Sequence, residues 1–135
     1  MTNTFITDLT DYIQAQGVAT NGQNLFVSGW FDNQDLPNVD VNQIMVDETG
    51  SVESDRDIPK LAPTIQFMAR DFDYSVARSK LWSLYALFHQ KHEYTMGGTS
   101  VMQSMAIQEP ASIGKNDRGQ EIFSFNVLFE IRNTY

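Results

Sequence analysis

The most regular pattern in the chain lies near its end, where Phe123, Phe125, Val127, Phe129 and Ile131 alternate with Ser124, Asn126, Leu128, Glu130 and Arg132. A period of two separates these sets onto opposite sides of a strand, one side core and the other mostly wet. Residues 64–70 alternate as strictly: Ile65, Phe67 and Ala69 oppose Thr64, Gln66, Met68 and Arg70, and Pro63 marks the start, where its missing N–H is tolerated. Residues 24–31 are short and rich in β-formers, with Leu25, Val27 and Gly29 on one face and Phe26, Ser28 and Trp30 on the other. Residues 43–47 read as a strand pairing back, and 100–108 as another, with Val101, Gln103, Met105 and Ile107 on a shared face.

Two segments change to helical spacing. Phe5, Leu9, Tyr12, Ile13 and Gln16 lie along one face of a helix of about three turns, with Asn3 or Thr4 as N-cap, Asp8 and Asp11 near its positive end and Gly17 as its stop. Asp73 is placed to cap a second helix whose buried stripe is Ala77, Leu81, Leu84, Tyr85 and Phe88. Gly97-Gly98 breaks the chain, and Asn116-Asp117-Arg118-Gly119 reads as a type I turn closed by a glycine able to take positive φ.

Between these elements, residues 32–41 favour an irregular connection, and residues 48–62, with Gly50, Pro59 and mixed charge, read as a long solvated loop. The order predicts an α+β fold: a mainly antiparallel sheet of four or five strands with two helices packed on one face. The whole chain, 1–135, is expected to form one domain with an extended acidic loop at about 48–62.

Charge changes the picture more than composition does. The formal net charge is −8, and the stretch from Asp32 to Asp57 holds eight carboxylates against Arg56 alone, so nearly all the excess sits there. Asp47, Glu48, Glu53, Asp55 and Asp57 form its densest part. Such a stretch argues against gripping nucleic acid, which needs clustered Lys and Arg, and suits either a solvated loop or a surface that repels DNA. There is no cysteine, which excludes disulfides and thiolate metal sites, and no apolar run approaches the roughly 18 residues that span a bilayer. A soluble protein made in the cytoplasm is expected.

Motifs for catalysis fail on inspection. Gly114-Lys115 has no glycine five residues earlier and no Ser or Thr next, so it is not a phosphate-binding loop, and Ser28-Gly29 lacks the first glycine of a nucleophile elbow. Asp55 and Asp57 begin like a calcium loop, but Pro59 and Lys60 stand where a ligand and the turn glycine belong. His89 and His92, three apart at a helix end, complement the negative dipole end better than they make a metal site. The expectation is no catalytic residue, no cofactor and no metal. Trp30, Phe31 and Trp82 either complete the core or anchor a subunit contact, where aromatics are enriched.

Several strings in the second two-thirds of the chain resemble one family. They are Ile44-Met45-Val46-Asp47 followed by Thr49-Gly50, the Pro63-to-Phe67 strand, the Arg70-to-Arg78 entry into a helix, and the hairpin from Asp117 to Val127. Together they resemble the tail terminator, tail-to-head joining or minor capsid proteins of long-tailed bacteriophages.

The resemblance implies a structural virion protein rather than an enzyme. It would form a ring, of six copies, that caps the tail tube and meets the head connector, with DNA passing through without specific binding and no membrane involved. The virion tail or neck, assembled in the host cytoplasm, is its expected location. On this reading Trp30, Phe31, Arg70, Arg78, Lys80 and the outward face of the last strand are candidate contacts with a neighbouring subunit or partner. Asp47, Glu48, Glu53, Asp55 and Asp57 are the candidate acidic lumen or loop. The rivals are another connector, neck or baseplate adaptor of the same virion, and a cellular ligand-binding or small hydrolytic domain, which would need a deep pocket with convergent His89, His92 and carboxylates.

Overall fold

In chain order the computed structural model contains α1 (Phe5–Ala15), β1 (Leu25–Val27), β2 (Gln43–Val52), β3 (Lys60–Asp71), α2 (Tyr74–Phe88), β4 (Lys91–Met96), β5 (Thr99–Ala106), β6 (Ala111–Lys115) and β7 (Glu121–Arg132). It describes residues 4–29, 42–52 and 60–132, without the side chains of 50–52 and 60. Trp30, Phe31, Glu53, Asp55 and Asp57, expected above to take part in contacts or in the acidic surface, lie outside these residues.

The strand with the strictest alternation, β7, is the axis of one sheet with strand order β1-β2-β3-β7-β5-β4. β3 runs antiparallel along one edge of β7. The other edge is shared: β6 pairs with residues 121–124 and β5 with residues 127–131. β1 and β2 pair in parallel, and the other pairs are antiparallel.

The α+β class and the two helices agree with the sequence, but the sheet is larger and mixed: seven strands rather than four or five. The additional strands carry little pattern of their own. β6 is exposed at all five positions, and β4 contains Glu93 at positive φ. They are strands because neighbours satisfy their backbone groups, which side-chain periodicity does not record.

Both helices lie on the core face. Phe5 of α1 and Phe88 of α2 each meet the ring of Phe129 edge-on, at centroid distances of 5.2 and 5.3 Å. Phe67 stacks between Phe88 and Phe125, at 5.5 and 5.4 Å. The α2 stripe of Ala77, Leu81, Leu84 and Phe88 is fully buried, and each large side chain in it contributes about 1.5–3 kcal/mol of hydrophobic stabilisation. Asp73 caps α2 as its spacing predicts, accepting from the Ser75 and Val76 amides. Thr4 occupies the N-cap of α1, but its hydroxyl donates to Asp8 rather than accepting from the backbone. Gly17 ends that helix at φ 79°.

Three expectations are corrected. Residues 48–52 and 60–62 belong to β2 and β3, which continue pairing as far as Val52 opposite Ala62, so the expected loop shrinks from both sides. Pro63 lies inside β3 rather than at its start. The β3–β7 ladder skips from Leu61 to Thr64, so Pro63 has no partner on β7 and stands opposite Ser51 of β2 alone. In β5 a bulge between Val101 and Gln103 shifts the register, so Val101 faces the core while Met105 points to the other side and is 41% exposed. The shared face expected for Val101, Gln103, Met105 and Ile107 is therefore broken in two.

The β6–β7 turn is as the sequence predicts. The Gly119 amide donates to the Asn116 carbonyl at 3.0 Å, Gly119 sits at φ 83°, and Asn116 Oδ1 accepts from the Arg118 and Gln120 amides. From this turn the buried Gln120 side chain donates to Asn42 Oδ1, which also accepts from the Phe72 amide, so one amide joins three distant segments.

Candidate functional site

With both helices on one side, the other face of the sheet has no second layer among the described residues. Strand register arranges its side chains in rows, the first of which, Gln43, Arg70 and Ile122, holds the buried Arg70; three more follow. One runs through Phe26, Met45, Met68 and Ser124, the next through Asp47, Gln66 and Asn126, and the third through Thr64, Leu128 and Met105. Across these rows the charges are Asp47, at the β2 margin, and Arg70, which is buried to 7% exposure. Glu130 and Arg132 follow at the far end of β7, where Arg132 bridges Glu93 at 3.3 Å. An open sheet face normally carries charged side chains, and this chain has 17 carboxylates to place. A centre of methionine, leucine and amides instead has the composition of a contact surface, where charge is depleted and Met enriched.

At the sheet corner, edge strand β6 exposes Ile113, and Ile107 is exposed just past β5. Phe72, Tyr74 and Val76 at the start of α2 form another apolar patch, with Tyr74 held edge-on to Phe123 at 5.0 Å.

The helix layer has a different character. α2 carries Arg78 and Lys80 and no carboxylate, the reverse of the chain's overall balance. Arg78 is exposed with its guanidinium 5.2 Å from the centroid of Trp82. Lys80 reaches back to Asp71 at 3.6 Å. Ser75, Ser79 and Ser83 form a row on the outer side of α2, and with Gln16, Gly17 and Val18 at the end of α1 they border an open groove of about 750 Å³.

The residues singled out from sequence therefore separate. Arg78 and Lys80 lie on α2, whereas Arg70 is the penultimate residue of β3 and is buried to 7% exposure. Asp47 faces the open side of β2, and Glu48 follows it on the same strand, exposed. His89 caps the end of α2, stacks on Tyr85 at 4.6 Å and accepts from the Ala106 amide through Nδ1 at 3.1 Å. His92 is exposed on β4. The helix stops before both, so they do not share a helical face, and neither lines the groove beside α2.

The open face was only half visible in the sequence. The outward side of β7 is legible from its alternation. The contributions of Met45 and Met105 depend on register, and that of Met105 on a bulge. The available signal was that Met45 and Met68 each fall on the apparently polar side of a strand, whereas Met105 alternates in phase with Val101 and Ile107 and gave none.

These features have the composition of a contact surface. A family model described as bacteriophage tail terminator protein matches residues 12–133, from within α1 to just past β7. No curated protein matches the chain.

Proposed function

Because the chain belongs to the bacteriophage tail terminator family, a structural family of the virion tail, we propose that it closes into a ring, of six copies, that caps the tail tube and joins it to the head connector. The observation that carries this reading is the broad, charge-poor sheet face left without a second layer. A lone subunit exposes that face to water, and a neighbour in a closed assembly removes it.

The acidic stretch supports a second part of the proposal, that Asp47 and Glu48, with Glu53, Asp55 and Asp57 beyond them in sequence, flank the path of DNA. A wall of carboxylates repels phosphate at short range and releases no counterions to it, so DNA passes without adhering. Arg78, Lys80, Trp30 and Phe31 remain the proposed contacts with neighbouring subunits or the tube, and Arg70, buried to 7% exposure, leaves that set.

The test adds purified chain to tails that lack it. Image averages should gain one ring of density at the head-proximal end, with six copies by mass, and the treated tails should become able to join filled heads. Tails that gain no density and still fail to join would contradict the proposal.

A further inference from the structure

The two layers of the molecule are mismatched within one chain and matched between two. The open sheet face is charge-poor, with Asp47 half-buried at its β2 margin and its Arg70 side chain buried rather than presented to solvent. The outer surface of α2 is cationic, with Arg78 exposed, and shallow, because Ser75, Ser79 and Ser83 leave a groove beside the end of α1. Met105, 41% exposed, stands proud of the sheet on the opposite side. A surface with projecting apolar side chains and an acidic margin thus backs onto a grooved surface with a basic flank.

We propose that successive copies pack front to back, with the α2 surface around Ser79 of one copy covering the open sheet face of the next. The inference rests on the reading of the chain as a self-assembling ring and names the two faces that meet. Two different patches on opposite sides of one molecule make a heterologous contact, which generates a ring when its rotation closes. Placing α2 there sets Arg78 against the acidic margin, and complementary charge fixes the register of such a contact. Burial of Met45, Met68, Leu128 and Met105 supplies its apolar centre.

The absence of cysteine makes the test direct. Ser79→Cys is combined in one chain with Met45→Cys or with Met105→Cys, and each double variant is oxidised after assembly, both in concentrated solution and on tail ends. At least one double variant should give a ladder of disulfide-linked multimers ending at a closed species, while the three single variants give no ladder. Rings intact by native mass spectrometry but without cross-links in either double variant would overturn the front-to-back contact and leave the ring standing. So would a single variant that forms covalent dimers efficiently. A chain that assembles neither in solution nor on tails would overturn both.

Discussion

The Thr99 hydroxyl donates a 2.6 Å hydrogen bond to the carboxylate of Asp8, joining the first helix to the start of β5 across 91 residues of sequence. The same carboxylate accepts from Thr4, and Gly97 approaches it so closely that a Cβ there would lie 2.7 Å from Asp8 Oδ1. α1 is therefore held to the sheet by a polar clamp as well as by Phe5, Leu9 and Ile13. Asp8→Ala leaves the nearly buried Thr99 hydroxyl without its acceptor and should lower stability by about 1–2 kcal/mol. Urea denaturation of Asp8→Ala, Thr99→Val and the double variant should give a coupling of about 1 kcal/mol. Strict additivity would refute the clamp.

Gly97→Ala meets two obstacles, the Asp8 oxygen and a backbone at φ 57°. It should cost about 1–2 kcal/mol in the native chain and less in the Asp8→Ala background, where only the backbone strain remains. Equal losses in both backgrounds would mean that the contact with Asp8 is not felt.

Tyr94 should make stability fall in strong base. The Ser104 hydroxyl donates to the Phe88 carbonyl at 2.6 Å, so in the 2.6 Å contact between Tyr94 and Ser104 the tyrosine is the donor. Burial, with a smaller push from Tyr12, raises the Tyr94 pKa from 10.0 to about 12 against the opposing effect of the Ser104 bond. Since the folded value lies above the unfolded one, the associated stability is complete below pH 10 and is lost as pH rises toward about 12. A 295 nm titration should show a late tyrosine that disappears in Tyr94→Phe, together with a shallower decline of the urea midpoint between pH 10 and pH 12. The same decline in both proteins would exclude Tyr94 as its source.

Asn126 sits in the middle row of the open face, and its Oδ1 is shielded from water with no hydrogen-bond donor among the described residues. Asn126→Val should raise stability by about 1 kcal/mol, because it removes a buried acceptor and adds a better strand former. An unchanged or lower urea midpoint would contradict the unsatisfied environment of this amide.

Much of the fold was legible because single segments carry it. The β7 alternation, the α2 stripe behind Asp73, the Gly17 stop and the Asn116–Gly119 turn are each local signals, and the structure agrees with all of them. What was hidden depends on partners. The parallel pairing of Leu25 with Ile44, the persistence of β2 through Gly50 and the bulge beside Gln103 arise from strand neighbours, which leave no period in the sequence. His89 and His92 read as neighbours on one helix only until the helix ends at Phe88. For the site, charge placement revealed the acidic stretch, whereas the open face emerged only when register brought Met45, Met68 and Met105 to the same side.

Changing Asp47, Glu48, Glu53, Asp55 and Asp57 together to lysine turns a formal −8 into +2 and should make the variant retain DNA where the native chain is expected not to. Binding should weaken steeply with salt, as phosphate contacts do. Electrophoretic mobility shifts over a salt series measure this. No retention at low salt would remove the acidic stretch from the account of DNA passage.

The most direct measurement for the central claim is electron microscopy of particles made when this gene is inactivated in its parent phage genome. The terminator reading predicts filled heads beside detached tails, with tails of uncontrolled length. Intact infectious virions with tails of normal length would contradict it.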